Sequence, residues 1–243
     1  EAGSLVADTR LVYPAGRVRL VADGGVELGA NGRIDVSGRR LSLGGARVDV
    51  PAGAVQVVAR TGPVNFLAGS LVDISSGSGT AGAGGLSILA GGTAALAGGL
   101  VGTGPSATRS GSFSLTAGAL TDFSGLNQQL NAGGLSRGRS IETLSGDLVL
   151  VAGETIQAEE VTLAASGGRL IVSGLIDAQG PDGGRVLLAA RDDLTVTTGA
   201  EIDARPTAAS DRASRVTLSS ENGDVSLETG SRVRLDGFGG DTG

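Results

Sequence analysis

The chain has 243 residues, of which 44 are glycine and 2% are aromatic, and its formal net charge is −6. Cys, His, Met and Trp are absent, and all 19 basic residues are arginine. These absences exclude Cys/His zinc sites, thiol nucleophiles, Ser-His-Asp triads, Schiff-base lysines and phosphate-loop lysines.

The first predicted elements are short strands with one buried face. Within residues 16–38 the apolar pairs are Val18/Leu20, Val26/Leu28 and Ile34/Val36, and the pairs start eight residues apart. Apolar residues at every second position are typical of such strands, whereas helical spacing is hardly seen.

The same triplet of apolar pairs returns further along the chain. The three clearest copies are Val55/Val57, Val64/Phe66 and Val72/Ile74; Val186/Leu188, Leu194/Val196 and Ile202/Ala204; and Val216/Leu218, Val225/Leu227 and Val233/Leu235. Residues 84–104 form a weaker copy. The chain therefore contains an internal repeat.

Each triplet ends in a corner motif, an aspartate followed by an apolar residue and then by turn-forming residues. The aspartates of this motif are Asp35, Asp73, Asp122, Asp177 and Asp203, and Gly102 and Arg234 occupy the same slot in two degenerate copies. The interval of 55 residues between Asp122 and Asp177 is interpreted as two turns with one motif lost.

The corner motif decides between two folds. Short repeated strands fit either an antiparallel sandwich or a coil, but a hairpin meander gives no reason for every third strand to carry the same sequence. We therefore predict an all-β fold, a right-handed parallel β-helix with three sides and roughly seven or eight turns. Residues 1–243 are predicted to form a single domain, with the polar segments 105–112 and 126–143 leaving the coil as loops.

The segment Gly77–Gly82 matches the G-x-G-x-x-G pattern of dinucleotide-binding loops. That pattern requires a helix directly after it, whereas here another alternating strand begins at Leu86. The match is interpreted as a glycine-rich corner, and no cofactor site is predicted.

The corner-motif aspartates allow two interpretations. Stacked carboxylates could bind Ca²⁺, which takes six to eight oxygen ligands, but aspartate also favours turns because it accepts hydrogen bonds from nearby backbone amides. The turn role is favoured because the loops do not repeat a ligand set. The segment Asp236–Asp241 resembles a calcium-binding nonapeptide but occurs once, so no metal site is predicted.

Two acidic clusters, Arg191-Asp192-Asp193 and Glu159-Glu160, are dense enough to suggest acid–base chemistry. Paired carboxylates hydrolyse glycosides when they face each other across a sugar-binding cleft. Both clusters fall between strands, where solvated turn charges are the usual finding. No catalytic residue is predicted; Asp192, Asp193 and Arg191 are the candidates should the chain be a polysaccharide lyase or hydrolase.

The sequence gives little indication of a macromolecular partner. The densest basic pairs are Arg17/Arg19, Arg39/Arg40 and Arg137/Arg139, each among glycines and aliphatics, so no nucleic-acid partner is predicted. No apolar run approaches the roughly 18 residues that span a bilayer, so no membrane span is predicted. The start, residues 1–10, lacks signal-peptide features, and the chain is expected to be a piece of a longer or processed protein.

The recurring G-x-Φ-D-Φ-S-G corners and alternating G-x-V-x-L-x-A segments, where Φ is apolar, resemble the filamentous haemagglutinin family of Gram-negative exoproteins, the two-partner secretion (TpsA) type. The resemblance covers most of the chain. It implies a β-helical shaft segment of an adhesin at the cell surface, active in adhesion, aggregation or biofilm and exported by an outer-membrane transporter. The implied contacts are cell-surface or matrix polysaccharide, or further copies of the protein. The family's secretion domain carries Asn-Pro motifs, which are absent here, so the resemblance implies shaft sequence and no transferable binding residues.

Overall fold

The structure is a computed structural model that describes residues 3–77, 80–209 and 213–235. The fold is mostly β, and the chain divides into two compact units, Glu1–Arg137 (unit 1) and Gly138–Gly243 (unit 2). Each unit is built from short parallel strands that stack in chain order.

Unit 1 contains thirteen strands, a 3-10 turn and one α-helix among its described residues. The strands are β1 (Leu5–Ala7), β2 (Arg10–Val12), β3 (Arg17–Ala22), β4 (Val26–Leu28), β5 (Arg33–Asp35), β6 (Arg39–Leu43), β7 (Ala46–Val50), β8 (Ala54–Ala59), β9 (Val64–Phe66), β10 (Leu71–Asp73), β11 (Gly85–Leu96), β12 (Gly99–Val101) and β13 (Ser112–Leu120). The 3-10 turn spans Ala107–Arg109, and α1 spans Phe123–Ala132.

Parallel pairing in unit 1 follows the predicted triplets. Strands β3, β4 and β5 pair with β8, β9 and β10 respectively. The long strand β11 then pairs with β8 through its first half and with β9 through its second half, while β12 pairs with β10. Equivalent strands of successive repeats therefore stack on one another.

Unit 2 repeats this arrangement with four strands in each stack. Its strands are β14 (Gly138–Thr143), β15 (Leu148–Leu150), β16 (Thr155–Gln157), β17 (Glu160–Ala165), β18 (Leu170–Val172), β19 (Leu175–Asp177), β20 (Arg185–Ala190), β21 (Leu194–Val196), β22 (Glu201–Asp203), β23 (Arg215–Ser220), β24 (Val225–Leu227) and β25 (Arg232–Arg234). The stacks are β14-β17-β20-β23, β15-β18-β21-β24 and β16-β19-β22-β25, and every pair is parallel. The predicted stacking of equivalent strands is confirmed, as expected for a parallel β-helix or solenoid.

The core of each unit consists of ladders of apolar, mainly aliphatic side chains. In unit 1, Leu28, Phe66 and Leu96 occupy equivalent positions of paired strands, and all three are buried. Stacked strands lie about 4.8 Å apart, so each inward side chain packs on its counterpart in the neighbouring strand. Burial of each such side chain contributes roughly 1.5–3 kcal/mol before conformational entropy is subtracted.

One hairpin departs from the parallel pattern. Strands β6 and β7 pair antiparallel across Gly44 and Gly45, which both have positive φ, as a two-residue hairpin turn requires. Arg40 and Asp49 face each other across this hairpin and form a bidentate ion pair.

The prediction of a loop over residues 126–143 is wrong. Residues 126–132 belong to α1, and β14 begins at Gly138. Asp122 is the N-cap of α1, where its carboxylate accepts a hydrogen bond from the N–H of Gly125 at 2.8 Å. It therefore does not mark a corner of the coil. The predicted loop over residues 105–112 is found over residues 105–111, which lie between β12 and β13, whereas Ser112 begins β13.

Two other slots of the corner motif need adjustment. Asp73 is aligned with Val101, so the prediction of Gly102 in this slot is wrong by one residue, because the buried Leu100 is the partner of Val72. In unit 2, Gln157 pairs with Asp177. Gln157 therefore occupies the slot that the sequence left empty between Asp122 and Asp177.

Candidate functional site

The corner aspartates, by which we mean Asp35, Asp73, Asp177 and Asp203, fold back onto the backbone. In each, Oδ1 accepts a hydrogen bond from the N–H two residues later: Ser37 at 3.1 Å, Ser75 at 2.9 Å, Gln179 at 3.3 Å and Arg205 at 3.2 Å. This Asx turn fixes the bend that follows each strand. The predicted turn role of these carboxylates is confirmed.

Of the four corner aspartates, Asp203 accepts the most side-chain hydrogen bonds. Its carboxylate accepts bidentate hydrogen bonds from the guanidinium of Arg205 and a third bond from the side-chain amide of Gln179 at 2.9 Å. The residue is 3% exposed. Arg205, together with the more distant charge of Arg234, holds the pKa of Asp203 below the usual aspartate value despite burial.

We expect Asp203→Asn to flatten the acid limb of the stability profile. Because the pKa of Asp203 is lowered by folding, its carboxylate stabilises the fold above about pH 4 and loses this contribution as the pH falls through the folded pKa. At pH 7 the substitution should cost about 1–3 kcal/mol of unfolding free energy. Urea denaturation of both proteins at pH 7 and pH 2 checks this, and a difference that persists unchanged at pH 2 contradicts it.

The structure offers no support for a metal site at the corners. Among the described ranges, no group of three or more acidic side chains is placed to hold a metal ion. Asp236–Asp241, which resembles a calcium nonapeptide, lies outside the residues that the structure describes.

The two acidic clusters lie at different ends of one stack of strands. Glu160 begins β17, and its Oε1 lies 3.7 Å from Nη1 of Arg185 at the beginning of β20. Asp192 and Asp193 follow the opposite end of β20. Asp193 accepts a hydrogen bond from the N–H of Asp224 at 3.1 Å. Because the strands are parallel and in register, the stack separates the two clusters rather than placing them across a cleft.

The Gly77–Gly82 segment lies partly outside the described residues, at Ser78 and Gly79. Gly77 has a φ of 62° at the bend after β10, and the chain continues into β11 at Gly85. The phosphate-binding fingerprint needs a helix N-terminus at this point. A glycine-rich corner accounts for the segment.

The sequence did not predict a broad, open groove on unit 1. A groove of about 810 Å³ crosses the beginnings of β3, β8, β11 and β13 in unit 1. Its lining includes Tyr13, Arg17 and Arg137, together with small residues such as Gly53 and Gly84. Tyr13 is 63% exposed. This groove exceeds in volume two concave surfaces on unit 2, of about 380 and 320 Å³, and is the candidate ligand site among the described residues.

A buried arginine was also missed. Arg139 is inward-facing in β14, aligned with Val161 of β17, and is 3% exposed. Burial lowers the pKa of its guanidinium to about 10, so the group stays charged at neutral pH. The buried residues of β14 alternate as in a strand, at Arg139, Ile141 and Thr143. This alternation was not recognised in the sequence because its first residue is charged.

The described part of the chain contains no helix that is both long and apolar enough to cross a bilayer.

Comparison with known proteins identifies no relative of the chain. No protein-family model, curated protein or solved structure matches it.

Proposed function

We propose that the chain is a structural shaft segment of a secreted, cell-surface, adhesin-like exoprotein of a Gram-negative bacterium, and that it is not an enzyme. The observation that carries the proposal is the register of repeats: β20, β21 and β22 align residue for residue with β23, β24 and β25. Such an array extends by adding equivalent turns. Support also comes from the resemblance of the corner motifs to filamentous haemagglutinin-like proteins.

The proposed coil is right-handed and three-sided, with roughly seven or eight turns. Parallel strands joined by crossover connections are right-handed in about 98% of cases, which supports this hand. The three parallel stacks of unit 2 support three sides. In this form the role of the chain is mechanical. Backbone hydrogen bonds along every side hold each turn to the next, and the resulting coil keeps other parts of the exoprotein at a distance from the membrane.

The cell-surface role is tested on the bacterium that encodes the chain. We expect antibodies against the purified chain to label intact cells. The labelling should disappear when the gene for an outer-membrane secretion transporter, expected beside the gene for this chain, is deleted. A matched strain lacking an unrelated outer-membrane protein serves as the control. Retention of the protein in the cytoplasm of wild-type cells contradicts the proposal.

The alternative is a β-helical polysaccharide lyase or hydrolase that uses Asp192, Asp193 and Arg191. The corner position of Asp193 and its bond to the Asp224 amide favour a structural role. Incubation with acidic polysaccharides separates the two proposals, because a lyase releases unsaturated products and a shaft segment releases none. If product forms and survives Asp193→Asn, these residues are not its source.

A further inference from the structure

Stacked glycines form part of the broad, open groove in unit 1. A Cβ on Gly53 would overlap the carbonyl oxygen of Gly16, and a Cβ on Gly84 would overlap the carbonyl oxygen of Gly53. The N–H groups of Ala54 and Ser112 donate to the carbonyls of Gly16 and Gly84, at 3.0 and 3.1 Å. Closely stacked backbone therefore forms part of the groove surface at these glycines.

The face beside this groove is free of acidic residues, in a chain whose net charge is −6. The outward positions of β3, β8, β13 and the first half of β11 are Arg17, Arg19, Val21, Ala54, Gln56, Val58, Gly85, Ser87, Leu89, Ser112, Ser114 and Thr116, of which Val58 is buried. At the other end of the groove is Arg137, which is exposed. Arg17, Arg19 and Arg137 form no ion pair within residues 3–77, 80–209 and 213–235. The positive charges of these three arginines are therefore not neutralised by an ion pair.

The equivalent stack of unit 2 shows that this charge pattern is not general to the fold. There the first outward positions of β17 and β20 are Glu160 and Arg185, 3.7 Å apart, so that positive charge is compensated. The next strand of that stack, β23, begins with the exposed Arg215, which forms no ion pair among the described residues. The unit 2 stack therefore combines one acidic and two basic side chains at this level, whereas the unit 1 face has no acidic side chain.

The single tyrosine of the chain forms part of the groove wall. Its ring packs against Gly16, where a Cβ would overlap ring atoms, while 63% of the residue stays exposed. An aromatic ring held against backbone offers an apolar surface at low entropic cost, and its hydroxyl adds a polar contact.

We propose that this groove binds an acidic polysaccharide, a linear glycan with carboxylate or sulfate groups. The guanidinium groups of Arg17 and Arg137 would form charge-assisted hydrogen bonds with the acidic groups, and Tyr13 would pack on a sugar ring. The stacked strands repeat every ~4.8 Å, which is comparable to the length of one sugar unit. A nucleic acid fits less well, because one aromatic ring and three arginines provide neither a stacking platform nor an extended basic footprint. This site does not depend on whether the chain serves as a shaft.

The absence of tryptophan makes Tyr13 a specific fluorescent reporter of the groove. Titration of the full chain with short oligogalacturonate, or with a sulfated oligosaccharide in a second arm, should change the tyrosine emission, with calorimetry giving the affinity. The arm that binds identifies the acidic group. Arg17→Gln and Arg137→Gln should each weaken binding about tenfold, and Tyr13→Phe should retain binding that Tyr13→Ala loses.

Arg215→Gln is the matched control, because Arg215 begins the equivalent strand β23 of unit 2 and is exposed. It should leave the affinity unchanged, and neutral dextran should not bind. The proposal is overturned if neither acidic glycan binds, if dextran binds equally well, or if Arg215→Gln weakens binding as much as Arg17→Gln. Tighter binding of a single-stranded oligonucleotide than of both glycans also overturns it.

Discussion

Replacing Gly53 with alanine is expected to destabilise the chain by about 3 kcal/mol or more. The new Cβ would overlap the carbonyl oxygen of Gly16 and lie 2.7 Å from its carbonyl carbon. Both atoms belong to the backbone of the preceding repeat, which also accepts the hydrogen bond from Ala54, so no side-chain rotation relieves the overlap. Urea denaturation at pH 7, followed by circular dichroism, measures the loss.

Gly82→Ala provides the control for this experiment. A Cβ on Gly82 would meet its nearest neighbour, the carbonyl oxygen of Arg109, at 3.5 Å, which is ordinary contact. Alanine at such a position should be neutral or slightly stabilising, because it restricts the unfolded chain. Equal losses in the two variants, or none in Gly53→Ala, would show that the repeats of unit 1 are not stacked as closely as the structure has them.

The strands could be predicted from the sequence because their signal is local. Alternation of residues such as Val26 and Leu28 reveals a strand with one buried face, and recurrence of the same pattern shows which strands stack. The corner aspartates were predictable for the same reason, since an Asx turn involves only residues two positions apart.

The helix α1 was missed because two local signals conflicted. The segment 120–125 matches the corner motif, but Asp122 serves as an N-cap, and the spacing of Leu126 and Leu130 places both on one buried helix face. The helical signal was present in these residues, and the resemblance to the other corners outweighed it.

The groove could not be predicted because it depends on the register between distant strands. Gly16 and Gly53 are far apart in sequence, and only the pairing of β3 with β8 places one above the other. Arg137 joins the same groove from the end of unit 1, after α1. The pairs Arg17/Arg19 and Arg137/Arg139 looked unremarkable in isolation, and Arg139 proved to be buried.

Leu188→Ala is expected to lower the free energy of unfolding by about 2–5 kcal/mol, and Leu187→Ala by less than about 1 kcal/mol. The two leucines are adjacent in β20, yet Leu188 is fully buried between Leu163 and Leu218, whereas Leu187 is 41% exposed. The first substitution leaves a cavity in an aliphatic ladder, because neighbouring strands fixed by backbone hydrogen bonds cannot collapse into it. Denaturation of both variants by urea, at matched pH and salt, checks the difference. Since a shift of one residue in strand register exchanges the inward and outward side chains, equal losses would contradict the stacking on which the fold depends.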